Sequence, residues 1–506
     1  MKLILSARQH QDADRSAVAA GMPSMVLMER AALACASEIE KRQYDMDRIL
    51  VVCGTGNNGG DGVAVARVLC EEGYSCTVFL AGPEEKFSDQ LKQQLHIIEG
   101  FPIPVIRARS TPGAELEDFH PEDYSLIIDA LFGIGLKRDI TGIYAELIDR
   151  INHSELPVAA VDMPSGVNTD SGVIMGTAVR ADLTVTFTTG KAGLYIYPGA
   201  ACAGKVKVKQ IGIPLTREIT KACHLYTIEH SDLEYLPKRD ESGNKGTFRK
   251  ILVIAGSRNI CGAAYLSAKA ALLTGVGMVK IFTEENNRTP ICALFPEALI
   301  STYRDGAKDF PQLAADMKWA DTVLIGPGLG TGDTALSLMR EFLHLNQERK
   351  IPAVFDADAL NLIAAHSDLL RKIRFPSVFT PHVGEMSRLT GIAPSDIKSS
   401  AVSIARHAAE EIRNTVVLKD AATVTALPNG SCFLNRSGNS ALSTAGSGDV
   451  LTGIIAGLTA QHGDYTGVAA ALGVYIHGKC GERASEKYSE ASATAGNILE
   501  FIHEFL

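Results

Sequence analysis

Three small residues followed by a carboxylate, in the run TAGSGDVLTGIIAGL (444–458), carry the strongest chemical signal in this sequence. Gly446, Ser447 and Gly448 make an amide-rich turn at a predicted helix start, suited to a developing phosphate charge. Asp449 follows at once, where a base could take the proton from a hydroxyl attacking a γ-phosphate. A small-residue packing helix with a dipole-favoured acid is the structural alternative. A second glycine turn, GTGNNGGDG (54–62), joins a strand to a helix, and Asn57, Asn58 and Asp61 add polar groups that a bare turn does not need. It has no GK[ST], so it is not a Walker A loop, and Gly60 and Gly62 after Gly54, Gly56 and Gly59 depart from plain GxGxxG. Asp129 ends the apolar run LIID and Asp162 ends VAAVD. Acids at buried strand ends call for a cation, a proton donor or helix N-terminal amides, unless they only cap the next helix.

These residues need strands and helices to hold them. A helix is read over 24–42, then a strand at 48–54 running through the glycine turn into another helix. Further strands follow at 76–82, 124–133, 157–166 and 181–187, and the segment 204–214 closes this half. They are short, apolar and β-branched with helical stretches between, the pattern of a parallel sheet covered on both faces. Residues 215–245 are more polar, which places a domain boundary at 224. The second half restarts with a strand at 248–257 and continues with strands at 322–328, 352–358, 377–382, 414–420 and 422–428, before a late helix at 446–460.

Composition limits the function classes. A chain of 506 residues exceeds one hydrophobic core, so two domains are expected. A net charge of −9 gives no basic footprint for nucleic acid or an anionic membrane. No apolar run of about 18 residues occurs, and the N-terminus lacks a signal-peptide core. The ten cysteines form no CxxC pair and read as buried free thiols of a cytoplasmic protein.

The series GxGNNGGDG, DALFGIG and DxPSG resembles the NAD(P)H-hydrate epimerase family over roughly residues 1–215. That resemblance implies a Rossmann-like three-layer α/β/α domain over 1–224. It implies that Asn57, Asn58, Gly59, Gly60 and Asp61 contact the hydrated dinucleotide, together with Gly133, Ile134, Gly135, Leu136, Lys137, Arg138 and Asp139. A potassium ion on Asn58, Asp129 and Ser165 is implied too, and an all-oxygen set without His or Cys suits such an ion better than zinc. Asp162 would sit beside the reacting ring, as the first candidate for acid or base.

In the other half the GSGD turn resembles the ribokinase-like fold. NKGTFRKILVIAGS (244–257), the segment 261–282, GPGLG (326–330), DADALN (356–361), TPHVGEM (380–386) and LKDAATV (418–424) resemble the ADP-dependent NAD(P)H-hydrate dehydratase branch, over residues 225–506. Carried over, Ala263, Gly328 or Gly330, His382 and Asp449 line the hydrate site. Lys419, Asp420, Ala421, Ala422 and Thr423, with Gly446, Ser447 and Gly448, hold the adenine nucleotide, and magnesium bridges its phosphates. Lys245 could neutralise phosphate or sit in solvent, and His382 without that context would be a strand-end packing residue. Two departures stand out: Asp420 replaces the glycine usual after this lysine, and Asn244 replaces a histidine, which bears on the choice between ADP and ATP. The resemblances together imply epimerisation of the R and S hydrates of NADH or NADPH, then dehydration of the S form with ADP giving AMP and phosphate. They imply small-molecule partners and a homo-oligomer. The rival readings are a small-molecule kinase, which would release a phosphorylated product, and a non-catalytic nucleotide sensor, which would need neither Asp162 nor Asp449.

Overall fold

The structure is a computed structural model that describes residues 1–109, 114–463 and 465–506. The chain divides into two compact units, Leu3–Cys223 and His224–Leu506, with Met1 and Lys2 grouped with the latter.

The first unit rests on β1 (Arg48–Cys53), β2 (Ser75–Leu80), β3 (Val105–Arg107), β4 (Leu126–Ala130), β5 (Val158–Val161), β6 (Leu183–Phe187) and β7 (Lys205–Lys209). Every neighbouring pair is parallel, in the order β3–β2–β1–β4–β5–β6–β7. Strand β1 shows why the sheet is double-faced. Ile49, Val51 and Cys53 pack with Leu27, Ala31 and Val63, whereas Leu50 and Val52 pack with Phe79, Leu147 and Ile148. Because successive side chains point to opposite faces, the unbroken apolar run RILVVC must be covered twice. This is the Rossmann-like three-layer arrangement, and its strand order reverses between β1 and β4, where such sheets open a ligand crevice. The sequence-based reading missed β3 and also α1 (Ala7–Ala19). The start of α1 is marked by a capping box between Ser6 and Gln9. Helices α2 (Ser24–Glu40) and α3 (Asn57–Glu71) follow.

In the second unit the strands are β8 (Leu225–Thr227), β9 (Lys250–Ile254), β10 (Met278–Glu284), β11 (Leu299–Tyr303), β12 (Thr322–Ile325), β13 (Ala353–Phe355), β14 (Ser377–Phe379), β15 (Thr415–Leu418), β16 (Val424–Ala426) and β17 (Cys432–Leu434). They lie in the order β8–β17–β16–β15–β14–β13–β12–β9–β10–β11. From β15 to β11 all pairs are parallel, and β16 and β17 add antiparallel strands at the other side. Helices α4 (Gly262–Leu273), α5 (Val383–Thr390), α6 (Ser447–His462) and α7 (Thr466–Tyr488) cover the sheet.

The glycines inside GIIAGL belong to packing. A Cβ on Gly453 would overlap the Ser267 carbonyl oxygen of α4, and one on Gly457 would overlap Thr274 Oγ1. Small residues four apart therefore let α6 lie directly against α4. The packing alternative for this helix is real, and it coexists with the glycine-rich turn at the helix start. Gly453→Ala gains helix propensity of at most about 1 kcal/mol. It drives a methyl into a backbone carbonyl, an overpacking that costs about 1–3 kcal/mol. The expected sign is a net loss, read as a lower denaturant midpoint for the transition that unfolds α6.

All ten cysteines are free thiols, and Cys292 is the exposed one. Among the described residues no helix is long and apolar enough to cross a membrane.

Candidate active sites

At the β1–β4 crevice the first unit holds a cavity of about 1130 Å³. Gly54, just after β1, is dictated by packing, since a Cβ there would overlap the Leu131 carbonyl. Gly59 would strike the Gly54 carbonyl, and Gly60 would press on Met28 Cε at 2.8 Å. Gly56 is different: a Cβ there meets nothing within 4 Å, so its side is open to an incoming ligand. Asn57, Asn58, Asp61, the loop Gly133–Arg138 and Asp162 all face the cavity. Gly59 and Gly60 are turned into the fold, and Asp139 is exposed outside the wall.

Asp129 and Ser165 form a buried pair apart from that wall. The Ser165 amide donates to Asp129 Oδ2 at 2.8 Å, its hydroxyl to Oδ1 at 2.6 Å, and the Leu131 amide to Oδ1 at 3.2 Å. Burial nevertheless pushes the Asp129 carboxyl up to about 6, against those hydrogen bonds. Asn58 Nδ2 is buried with no partner.

Asp162 follows β5 with φ +67°, and Thr188 follows β6 with φ +66°. A left-handed conformation is tolerable for Asp but costly for β-branched Thr, and strain of this kind concentrates at functional sites. Asp162 Oδ1 receives Lys191 Nζ at 2.6 Å, Thr186 Oγ1 at 3.1 Å and the Phe187 amide at 3.3 Å. Lys191 is 1% exposed. Helix α1 adds His10, Asp14 and Arg15 to the same wall. Burial, and then repulsion from Asp162, raises the Asp14 carboxyl to about 6, with Lys191 opposing. The Asp61 carboxyl is driven well above its ordinary range by burial, Asp162 and Asp14. Burial and then Lys191 hold the His10 imidazole well below its usual value. Sequence reasoning missed His10, Asp14 and Lys191. The α1 capping box and the strand-end run TFTTGK are the signals that were there to find.

In the second unit Gly446 N-caps α6 at φ +86°, and a Cβ there would sit 2.6 Å from Leu266 Cδ1, so only glycine fits. Ser447 Oγ lies 3.1 Å from His477 Nε2 on α7. Asp449 stands in the first turn of α6, its carboxyl raised to about 7 by burial and then by Asp356, while Lys419 opposes. Lys419, one residue past β15, donates to Asp356 Oδ1 at 2.7 Å and lies 4.0 Å from Glu385 Oε2. Thr452 of α6 donates to the other Asp356 oxygen at 2.6 Å. Burial disfavours the Lys419 charge, yet Asp356 and Glu385 outweigh it and hold its ammonium above the ordinary value. One ammonium thus serves a cluster of carboxyls, of which sequence reasoning had assigned a role to Asp449 alone.

His382 bridges to Lys419 across the sheet and N-caps α5: its Nδ1 accepts the Gly384 amide at 2.9 Å, and its own amide donates to Glu385 Oε2 at 2.8 Å. The ring is half exposed, so capping leaves an edge available. Gly328 and Ala263 are neighbours, a Cβ on the former lying 3.1 Å from Ala263 Cβ. The Gly330 amide donates to Asp358 at 2.8 Å. The Asp420 carboxylate closes its own loop on the Ala421 amide at 2.9 Å, and Thr423 donates to the Asp420 carbonyl at 3.1 Å. Ala422 beside them is buried.

A half-buried acid at a glycine-rich helix start, joined in one chain to a carboxyl-lined crevice in a Rossmann-like sheet, defines a two-site α/β enzyme. Comparison with known proteins then becomes specific. A family model described as NAD(P)H-hydrate dehydratase matches residues 251–504, and one described as YjeF-related protein N-terminus matches residues 24–193. The bifunctional NAD(P)H-hydrate repair enzyme of Moorella thermoacetica is 37% identical over 502 residues, spanning 95% of this chain and 92% of that one. Its counterpart in Thermofilum pendens is 35% identical over 466 residues, spanning 90% and 87%. Among solved structures, a ribokinase-like superfamily protein from Enterococcus faecalis V583 matches with a TM-score of 0.50 at 26% identity, covering 56% of this chain and 95% of that one. This chain belongs to the family of bifunctional NAD(P)H-hydrate repair enzymes.

Proposed function

We propose that the first unit interconverts the R and S hydrates of NADH and NADPH, and that the second dehydrates the S form with ADP, releasing AMP and phosphate. The observation that carries this reading is the coexistence in one chain of the NNGGD-floored cavity and the GSGD helix start bearing a half-buried acid. Asn57, Asn58, Asp61 and Gly133–Arg138 would bind the hydrated dinucleotide in that cavity, with Asp162 at the reacting ring. In the second unit Asp449 would take the proton of the ring hydroxyl as it attacks the terminal phosphate. The Gly446, Ser447 and Gly448 amides would stabilise the transferring group. Phosphate is a far better leaving group than hydroxide, so elimination then restores the nicotinamide ring. Ala263, Gly328, Gly330 and His382 would hold the hydrate, and Lys419 to Thr423 the adenine nucleotide.

Potassium belongs to the reading of the first unit, on Asn58, Asp129 and Ser165. A buried carboxyl paired with neutral donors fits a cation, and the unpartnered Asn58 amide is free to turn its oxygen toward one. Magnesium, when bound in the second unit, neutralises phosphate charge. A homo-oligomer is part of the same reading and is drawn from the family.

The full chain, given mixed hydrates of NADH with magnesium, potassium and ADP or ATP, should restore absorbance at the NADH band completely. Recovery that stops after one epimer would show the first unit to be silent. No recovery with either nucleotide would sink the reading in favour of a kinase that releases a phosphorylated product.

A further inference from the structure

The first-unit cavity contains more acid–base apparatus than the glycine turns account for. Three carboxyls from separate elements line it: Asp14 on α1, Asp61 on α3 and Asp162 after β5. The cations on the same wall are Lys191, Arg15, Lys137 and Arg138. Arg15 pairs with Asp12, and Lys137 and Arg138 are exposed on their loop. Lys191 is the buried one. Its Nζ spends its three donors on Asp162 Oδ1 at 2.6 Å, Thr186 Oγ1 at 2.6 Å and the Phe187 carbonyl at 3.3 Å. An ammonium so committed has no proton to offer a ligand, but it fixes a carboxylate. The three donors to Asp162 converge on Oδ1, and none uses Oδ2.

We propose that Lys191 is a positioning residue that holds Asp162 as the cavity's carboxylate, and that Asp14 is the carboxylic acid delivering a proton to the departing hydroxyl. This rests on the reading of the first unit as a hydrate epimerase. One buried ammonium beside three carboxyls favours protons staying longest on the two it does not hold. Burial and Asp162 raise Asp14 to about 6, within reach of solvent exchange near neutrality, whereas Asp61 is pushed well above its ordinary range and keeps its proton. His10, held well below its usual value, faces them as neutral imidazole. Carboxyls whose surroundings separate their protonation states divide naturally into acid and base. In the step itself the bond from ring carbon to hydroxyl breaks with its electron pair on oxygen. Asp14 gives that oxygen a proton, water leaves, and the ring-nitrogen lone pair forms a C=N⁺ bond. Water adds to the other face and its proton passes to Asp162. Proton exchange with solvent returns Asp162 to carboxylate and Asp14 to acid, so the cycle is neutral.

The test uses the full chain without adenine nucleotide, which removes dehydration, and starts from the purified R hydrate of NADH. Formation of the S hydrate is followed by chromatography from acid to alkaline pH. Wild type should show a bell whose alkaline limb falls as Asp14 loses its proton. Asp14→Asn should lower kcat about 10²–10⁴-fold with KM little changed, and should abolish the alkaline limb. Asp14→Glu should restore that limb. Lys191→Met should move the acid limb to higher pH, and Lys191→Arg should leave it in place. If Lys191→Met fails to fold, as judged by circular dichroism, the Arg variant and the Asp14 pair still decide. An Asp14→Asn enzyme with both limbs intact, or a Lys191→Met enzyme slowed equally at every pH, overturns the proposal and leaves the epimerase reading standing. A wild type that never interconverts the two forms overturns both.

Discussion

Asp449→Asn should lower nucleotide-dependent recovery of NADH about 10²–10⁴-fold, the usual worth of a general base, while ADP affinity changes little. The isosteric amide keeps the helix start and its amides in place and removes only proton acceptance. Wild-type turnover should rise with pH through about 7, where burial and then Asp356 place the Asp449 carboxyl, and the variant's residual rate should be flat. The same shift predicts an opposite effect on stability. In the unfolded chain this carboxyl ionises in the ordinary range, so between about pH 4 and 7 the folded state holds a proton that the unfolded state has lost. Stability contributed by that proton is full below this window and is lost as pH rises through about 7. Asn carries no such loss, so thermal melts above pH 7 should show the inactive variant to be the more stable one. A variant that is both inactive and destabilised would mean that Asp449 serves the fold and not the chemistry.

The second large effect is expected at Lys419. Lys419→Met leaves Asp356 and Glu385 without their ammonium, and removing one member of a buried pair costs about 3–5 kcal/mol. Denaturant unfolding should report that loss in the transition of the second unit. Adding Asp356→Asn to it should recover much of the stability, since the two changes share one interaction. The single variant should also push the activity limb to higher pH, because Lys419 opposes the upward shift of Asp449. If Lys419 served only to contact nucleotide phosphates, the midpoint would stay put and the KM for ADP alone would rise.

Both predictions concern groups of unequal visibility in the sequence. Asp449 is legible because its neighbours are: a GSG turn before a helix is a local pattern with a local cause. The strands β1, β4, β5 and β6 are legible because each is a short, mostly apolar or β-branched stretch buried on both faces. Asp356 is in a different position. Its partners Lys419 and Thr452 lie 63 and 96 residues away, and no local pattern announces a charge cluster assembled from three strand and helix ends. Helix α1 escaped because its composition is polar and its apolar contribution is mostly small alanines, leaving the Ser6–Gln9 capping box as the one sign of it. Asp14 and Lys191 were lost for the same reason as Asp356. They meet Asp162 only through the fold, from 148 and 29 residues away in sequence.

The tight packing of the first glycine turn bears on how relatives of this chain are judged. Gly54 and Gly59 are held by backbone carbonyls, so a descendant that abandoned its chemistry would still be obliged to keep them in order to fold. The glycine signature is therefore a certificate of architecture, and a catalytically dead homologue could carry it intact. A residue whose side chain chiefly holds other polar side chains, such as a lysine buried against an aspartate and a threonine, makes the better test for telling a working enzyme from a retired one.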